Sequence, residues 1–392
     1  MNRLRIQYKE FVSVLKSELQ FIIKDPGVLL ILVGAILIYS TLYSLAYKNE
    51  VLRDVPIAVV DESHTPASRD LIRALDASSN IHIAYTPSSL NEAKDMFLSR
   101  QVNGVIVIPK DYERKIMRME KAAVSVYADA SYFLMYRQVF SDAISAIDDI
   151  STSIEWNRFV AKGQSAEKAK VISNPVQIKS VSLFNPYGGY GSFVMPAIII
   201  LIIQQTLLIG IGMIGGTWRE QDLYKKLKPE GEKYLSILPV VFGKTVAYIL
   251  LNILTLSYIF GIHYKIFGFP ANGEISDIIQ LMLPYLLSSI FLGIALSTLF
   301  RYRENSILFL LFTSIPFLML SGVSLPAEAM PQWLYLGAKI IPSSSAIDAF
   351  IRIQSMGASL TEVLMAYRIL WALTIVYFIF AYLGIRRRIR RA

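Results

Sequence analysis

Six long apolar segments constrain this chain more than any other feature of its sequence. A helix needs about 20 apolar residues to cross the hydrocarbon core, because every backbone polar group there must be paired within the helix. The segments of this kind are residues 27–47, 193–216, 240–262, 278–300, 306–323 and 366–385. The fifth is the shortest and contains Pro316. The sequence therefore predicts an α-helical transmembrane bundle of six spans.

Composition agrees with a membrane protein. The chain is 54% hydrophobic and 18% charged, whereas a soluble domain carries about 25% charged residues. It has no cysteine, which excludes disulfides and cysteine-ligated metal, and its three scattered histidines argue against a His-rich metal site. The net charge of +9 lies beside the apolar segments, so it indicates membrane orientation and lipid contact and does not indicate nucleic-acid binding.

Lysine and arginine near the span ends predict the orientation, because cytoplasmic loops carry an excess of both. Most of them fall on one side of the membrane in a six-span arrangement. They are Arg3, Arg5, Lys9, Lys16 and Lys24 before the first span, Arg219, Lys225, Lys226, Lys228 and Lys233 after the second, Arg301 and Arg303 after the fourth, and Arg386, Arg387, Arg388, Arg390 and Arg391 in the C-terminal tail. Both termini, including the basic tail 386–392, are therefore predicted to be cytoplasmic, and residues 48–192 extracytoplasmic.

Residues 1–26 have the pattern of an amphipathic interfacial helix that ends at Pro26. Apolar side chains recur at helical spacing with polar ones between them. The apolar positions are Phe11, Leu15, Leu19, Ile22 and Ile23. A signal peptide cleaved after Ala46 is the alternative, but the apolar segment 27–47 exceeds the roughly 7 to 15 residues of such a peptide.

Residues 48–192 contain short apolar runs alternating with helical patterns, which predicts an inserted α/β domain. Thr65-Pro66 and the capping-box pair Ser89 and Glu92 mark two helix starts. Asp61 and Asp129 follow predicted strands, where they either cap turns or contribute to a site. The predicted strands are 55–60, 81–85, 102–108, 123–128 and 176–183, with a long helical region at 132–168 and a glycine hinge at 185–191.

No motif in the chain predicts catalysis, cofactor binding or metal binding. Residues 238–245 end like a P-loop, but the first position is Leu238 where phosphate binding requires glycine. The centres of the six spans lack ionisable side chains, which argues against a carrier driven by an ion gradient. Gln204, Gln205 and Asn252 are the polar candidates for lining a pathway. Hydrogen bonding between packed helices is their alternative role.

The order of several short motifs resembles one family, the membrane subunits of type 2 ATP-binding-cassette exporters, in the branch with a large external domain after the first span. The motifs are Lys24-Asp25-Pro26, Phe184-Asn185-Pro186, Phe193-Val194-Met195-Pro196, Arg219-Glu220, Gly243-Lys244, Ser321-Gly322, Pro326, Met330-Pro331-Gln332-Trp333 and Pro342. The resemblance covers nearly the whole chain. It implies a five-span transmembrane domain at 193–385, following the first span and the external domain, and an outer segment at 324–357 that is either re-entrant or interfacial.

The resemblance also implies a permease subunit in the bacterial cytoplasmic (inner) membrane that exports its substrate with a separate ATPase subunit. ATP and Mg²⁺ would then be bound by that partner, and this chain would need no cofactor of its own. A second permease protomer, identical or related, would share the pathway, and Gly210, Gly212 and Gly215 in the second span would allow close approach. A periplasmic adaptor is a further partner that the sequence leaves open. Apolar spans carrying Tyr and Gln favour an amphiphilic drug or lipid-like substrate.

The cytoplasmic segment 217–237 is predicted to couple the ATPase to the second and third spans. The candidate coupling residues are Arg219, Glu220, Asp222, Leu223 and Tyr224, with the two apolar side chains forming an edge for a groove on the partner. The family's Gly-Thr after the acidic residue is missing here. A basic loop held at anionic lipid headgroups is the alternative.

For the whole chain, the alternatives are a non-transporting membrane-anchored protein whose external domain binds an envelope partner, and a membrane-embedded enzyme.

Overall fold

The computed structural model describes residues 2–48, 51–176, 181–186, 188–227, 237–323, 325 and 327–391. Several predicted features therefore lie partly outside the described residues: the last strand of the external domain at 177–180, the glycine hinge at 187, the coupling segment at 228–236, and the outer segment at 324 and 326. The chain divides into two compact units, one formed by Met1–Glu50 with Ser182–Ala392 and the other by Val51–Val181.

The larger unit begins with two helices, α1 at Asn2–Lys24 and α2 at Pro26–Ala46. Asp25 separates them and caps α2, since its Oδ1 accepts hydrogen bonds from the backbone N–H groups of Gly27 (3.0 Å) and Val28 (3.1 Å). The buried positions of α1 include Val14, Glu18 and Ile22, one helical turn apart. A carboxylate thus lies on the face of α1 that packs against the protein.

The smaller unit is a mixed four-stranded sheet with helices around it. Its strands are β1 Val55–Asp61, β2 Ile81–Tyr85, β3 Gly104–Ile108 and β4 Ser125–Ala128, in the order β2-β1-β3-β4 with β4 antiparallel. Its helices are α3 Pro66–Asp76, α4 Leu90–Leu98, α5 Tyr112–Met117, α6 Phe133–Ala161 and α7 Ala166–Ser173. Alternate side chains of β1 and β3 enter two separate apolar clusters, as expected for a sheet buried on both faces.

Local signals in the smaller unit gave correct helix starts and most strands. Thr65 caps α3 in a capping box with Ser68, and Ser89 accepts a hydrogen bond from the N–H of Glu92 at the start of α4. The fifth predicted strand is wrong for the residues that can be judged, because Val176 and residues 181–183 have no strand pairing. The predicted long helical region is broken between α6 and α7 at Gly163, which has a left-handed backbone conformation (φ +84°).

In the described residues, the larger unit continues with seven further helices and three short 3₁₀ turns. They are α8 Tyr190–Glu220, α9 Ile237–Phe267, α10 Ile275–Ser297, α11 Glu304–Met319, α12 Gln332–Ala338, α13 Pro342–Gln354 and α14 Leu364–Arg391, with the turns at Leu223–Leu227, Ala327–Ala329 and Leu360–Val363. Within the described part of the chain, five helices are long and apolar enough to cross a membrane. They are α2, α8, α9, α10 and α14 with its preceding turn. The apolar α11 is shorter, at 16 residues.

Helix α8 is the centre of the larger unit and packs against α2, α10, α11 and α13. Its glycines make this possible, because a Cβ at Gly210 would lie 2.5 Å from Leu32 and one at Gly215 would lie 2.4 Å from Ser297. A Cβ at Gly212 would lie 2.5 Å from Ser306. All three glycines are enclosed by helices of this same chain. The prediction that they serve contact with a second protomer is therefore wrong, while the second protomer itself stays a prediction.

Candidate functional site

The buried carboxylate of α1 holds that helix to α9. Glu18 is 1% exposed, and its Oε2 accepts a hydrogen bond from Lys244 Nζ at 2.6 Å. Its Oε1 accepts one from the Tyr248 hydroxyl, also at 2.6 Å. Lys244 and Tyr248 lie one turn apart on α9, so both reach the same carboxylate. The charge of Glu18 is thereby compensated in a place where an unpaired charge would be strongly unfavourable.

Aromatic side chains extend this contact to the end of α8. The ammonium of Lys244 lies 4.0 Å from the ring centroid of Trp218, in a cation–π arrangement. Trp218 packs against Phe21 of α1 at 5.8 Å and against Tyr224 at 5.5 Å, measured between ring centroids. Burial raises the pKa of the Tyr224 hydroxyl, and the nearby Glu18 carboxylate raises it further. We call Glu18, Trp218, Tyr224, Lys244 and Tyr248 the Glu18 cluster.

The predicted coupling residues divide into buried and exposed ones. Leu223 and Tyr224 are only 8% and 5% exposed and belong to the core of the larger unit. The prediction that they form an exposed apolar edge is therefore wrong, because this chain already covers that edge. Glu220 and Asp222 are exposed, and Asp222 pairs with Lys225 at 2.7 Å. A partner that contacts the described part of this segment meets charged side chains.

Arginines cap the C-terminal end of α10 in the same region. Arg219 Nη1 donates hydrogen bonds to the carbonyl oxygens of Leu299 (3.3 Å) and Phe300 (3.2 Å), and Arg388 Nε donates to that of Thr298 (2.6 Å). The last carbonyls of a helix lack partners within the helix and carry partial negative charge, so guanidinium groups suit them. Arg219 therefore has a structural role that the sequence did not suggest.

Asp25 connects the start of α2 to the loop after α10. Its carboxylate lies 3.0 Å from Arg303 Nη1 and accepts a further hydrogen bond from Nη2 at 3.3 Å. Partial burial by itself would raise the pKa of Asp25, but the Arg303 guanidinium and the two capping N–H groups outweigh it and hold the pKa below the ordinary 3.8. The backbone N–H of Arg303 also donates to Glu220 Oε1 at 2.9 Å. The loop is thus held to α2 and to α8.

The three polar candidates for a pathway differ in their surroundings. Gln204 is fully buried, and its Oε1 accepts a hydrogen bond from the N–H of Ser343, at the start of α13, at 2.8 Å. Asn252 donates to the carbonyl of Tyr248 in its own helix at 2.9 Å. Both side-chain polar atoms of Gln205 are buried without a partner in the described part of the chain. Gln204 joins two helices, whereas Gln205 has no packing role that explains its polarity.

Other sequence candidates have local structural roles. The P-loop-like residues lie within α9, where Gly243 allows close contact with α1: a Cβ there would lie 3.0 Å from the carbonyl oxygen of Phe11. The neighbouring Lys244 is bound to Glu18. Asp61 accepts hydrogen bonds from the N–H groups of Ser63 and His64 in the turn after β1, at 2.9 and 3.0 Å. The position of Asp61 directly after a strand is therefore explained by its role in forming this turn.

Comparison with known proteins assigns the class. The fold is that of a multi-pass helical membrane protein with an inserted mixed-sheet unit, and the family model described as "ABC-2 family transporter protein" matches residues 26–383. The chain belongs to this family of ATP-binding-cassette transporter membrane proteins, which work with an ABC ATPase subunit.

Three relatives named as permeases align with this chain over most of their length. The chain is 23% identical over 367 residues to the probable multidrug ABC transporter permease YbhR of Escherichia coli, covering 93% of this chain and 94% of the relative. It is 23% identical over 395 residues to the linearmycin resistance permease protein LnrN of Bacillus subtilis, covering 94% and 97%. The related E. coli permease YbhS is 19% identical over 348 residues, covering 86% of each chain.

Proposed function

We propose that this chain is the permease subunit of an exporter that moves an amphiphilic small molecule or lipid-like substrate out of the cytoplasm or the inner leaflet. Export uses ATP and Mg²⁺ bound by a separate ATPase subunit. Membership of the ABC-2 family supports the subunit class, and the names of the multidrug and linearmycin-resistance relatives support the amphiphilic substrate. The Glu18 cluster supports the coupling mechanism, because it joins the segment after α8 to two other helices.

In the proposed topology, α11 is the fifth of six spans and both termini are cytoplasmic, in the bacterial inner membrane. The apolar surface of α11 supports a membrane location, since Leu311, Phe312 and Ile315 are 65%, 75% and 66% exposed and need lipid or a second protomer around them. Helix α13 has 13 residues, too few to cross the bilayer, yet it packs against α8, α10 and α14. This supports a re-entrant outer segment shielded by protein.

The proposed coupling begins at the exposed charges Glu220, Asp222 and Lys225, which dock on the ATPase. The buried side chains of Leu223 and Tyr224 hold this segment to the bundle, so a displacement imposed on it reaches Trp218 and Lys244 directly. Helices α1, α8 and α9 then move together. In this scheme the apolar residues of the segment transmit force, and the charged ones select the partner.

The proposed outward transmission runs through α8. Gln204 lies about four turns before Trp218 on this helix, which is roughly 21 Å at 1.5 Å per residue. Its hydrogen bond to the N–H of Ser343 ties α8 to the start of α13. A rigid-body movement of α8 therefore changes the position of the outer segment. Gln205, polar and unpaired beside it, is the candidate for contact with substrate.

The experiment that tests this function combines co-purification with transport. A tagged chain is purified from its native membrane, and inside-out vesicles are assayed for ATP-dependent uptake of a fluorescent amphiphilic dye. An ABC ATPase should co-purify, and uptake should need both ATP and this chain. A chain that purifies without an ATPase and gives vesicles with no ATP-dependent uptake would instead support the membrane-anchored binding protein.

A further inference from the structure

A cavity of about 380 Å³ lies in the larger unit, between the turn after α11, helices α12 and α13, and the start of α8. This volume is within the range of small-molecule sites, roughly 300 to 1,000 Å³. In the proposed topology the cavity is on the extracytoplasmic side. It is separate from the Glu18 cluster and shares no residue with it.

Apolar side chains form one part of the wall of the cavity. Phe193 at the start of α8, Val323 in the turn after α11, and Ile347 and Ile351 on α13 contribute to it, together with Met330. Aromatic, branched and flexible thioether side chains of this kind accept an apolar body without demanding one shape.

Charged groups at the cavity are not paired with one another. Glu328 and Asp348 both line it, are exposed, and have no hydrogen-bond or ion-pair partner among the described residues. The ammonium of Lys339 lies 4.7 Å from the ring centroid of Tyr335, which offers it a cation–π partner. The cavity therefore carries two unpartnered carboxylates and one cation that already has a stabilising neighbour.

A buried hydroxyl adds a second polar feature. Ser344 lines the cavity, is only 6% exposed, and its Oγ has no hydrogen-bond partner among the described residues. Buried polar atoms normally have partners. A hydroxyl left unpartnered beside a cavity is available to a ligand or to a water molecule bound with it.

The same region does not suit an anion. The start of α13 would be the natural anion site, but the N–H of Ser343 is bound to Gln204 Oε1 (2.8 Å) and the N–H of Ser344 to the carbonyl of Ile341 (3.1 Å). An anion would face both carboxylates with Lys339 as its one cationic neighbour among the lining residues.

We propose that this cavity binds a cationic amphiphile, a molecule with an apolar body and an ammonium or other onium group. The body packs against Phe193, Val323 and Ile351, and the charge faces Glu328 and Asp348. As a statement about substrate class this rests on the proposed function, whereas binding itself needs neither ATP nor an ATPase.

The test measures binding of tetraphenylphosphonium to the purified full-length chain in detergent by equilibrium dialysis, without ATPase or nucleotide. Wild type should bind saturably, and an excess of the onium analogue tetraphenylarsonium should displace the probe. Glu328→Gln and Asp348→Asn should each weaken binding about fivefold, the effect of one unit charge near contact distance in water. Lys339→Gln should strengthen binding by a similar factor, since it removes a repelling charge.

Glu274→Gln is the matched control, because Glu274 is an exposed carboxylate before α10 that does not line the cavity. It should leave binding unchanged. All these positions are exposed or half-buried, and an unchanged elution profile in size-exclusion chromatography verifies folding. Absence of saturable binding, carboxylate variants that bind like wild type, or weaker binding by Lys339→Gln would each overturn the assignment. Binding without transport would instead refute the proposed function and leave the cavity assignment standing.

Discussion

Glu18 and Lys244 depend on each other because both charged side chains are buried. Lys244 has a side-chain exposure of 7% and Glu18 one of 1%. Burying both ions is unfavourable, and their attraction offsets that penalty only while both are present. The hydroxyl of Tyr248 and the ring of Trp218 add the remaining contacts. We therefore expect the pair to fix how α1 sits on α9 and to add little net stability.

Lys244→Met should destabilise the chain by about 3 to 5 kcal/mol, because it leaves the Glu18 carboxylate buried and unpaired. The double variant Glu18→Leu with Lys244→Met should recover most of that loss. Thermal unfolding of the purified protein in detergent measures both. Lys225→Met is the control, since its exposed pair with Asp222 should contribute at most about 1 kcal/mol. A double variant no more stable than Lys244→Met would contradict the pairing.

Asp25 should make a pH-dependent contribution to stability. Its folded-state pKa lies below the ordinary 3.8, so the contribution is fully present above about pH 4 and is lost as the pH falls through the folded-state value. Asp25→Asn keeps a helix-capping side chain but loses the charge, and should cost about 1 kcal/mol at pH 7. Unfolding midpoints of wild type and variant should converge below pH 3.8. A constant difference between them at all pH values would argue against the Arg303 pairing.

Among the elements, α8 carries two adjacent glutamines that should respond in opposite ways. Gln204→Leu leaves the N–H of Ser343 without its acceptor inside the protein, which should cost about 1 to 3 kcal/mol and loosen α13. Gln205→Leu removes two unpartnered polar atoms and should be neutral or stabilising. Unfolding midpoints and protease sensitivity of the 324–357 segment measure the difference. Equal destabilisation by both changes would show that the hydrogen bond to Ser343 is unimportant.

The same pair tests the pathway. If Gln205 contacts substrate, Gln205→Leu should lower dye transport at least severalfold while the protein stays as stable as wild type. Gln204→Leu should lower transport and stability together. Normal transport by Gln205→Leu would remove Gln205 from the pathway and leave its unpaired amide unexplained.

Elements governed by local physics were predictable, and contacts between distant elements were not. The Thr65 cap and strand β2 at Ile81–Tyr85 follow from nearby residues alone. Helix α9 runs five residues past the predicted span end at 262. The predicted span ended there because His263 is a polar residue. In the structure His263 is fully buried, and its Nε2 lies 2.9 Å from Ser44 Oγ. The Glu18 cluster could have been predicted in part from Lys244. This residue is a lone charge inside an apolar segment, and such a charge requires a partner.

The coupling segment shows the same limit. Its charges and its position between two spans were predictable from the sequence. The direction of Tyr224 was not, because it depends on Trp218, which packs against it from α8. Amphipathic pattern identifies an apolar edge without saying whether the chain itself or a partner covers it. Replacing Leu223 and Tyr224 would therefore disturb the fold before it reported on docking.

At the scale of the molecule, the proposed topology places residues 48–192 outside the cytoplasm and both termini inside it. Reporter enzymes fused after Ser99 or Ser165 should read as extracytoplasmic, and those fused after Leu227 or Arg391 as cytoplasmic. The reason is the basic loops, which stay on the cytoplasmic side. Activity of the Ser99 fusion on the cytoplasmic side would refute the six-span arrangement, whatever the transport assays show.

The most direct measurement for the whole account is photocrosslinking in living cells from single positions of the coupling segment. A benzophenone amino acid replaces Asp222 or Lys225, both exposed, with Ser99 of the smaller unit as the control position. We expect a covalent adduct with an ABC ATPase from Asp222 and Lys225 and none from Ser99. No ATPase adduct from either coupling position, or an equal yield from Ser99, would contradict the claim that this chain is driven by an ATPase docked at that segment.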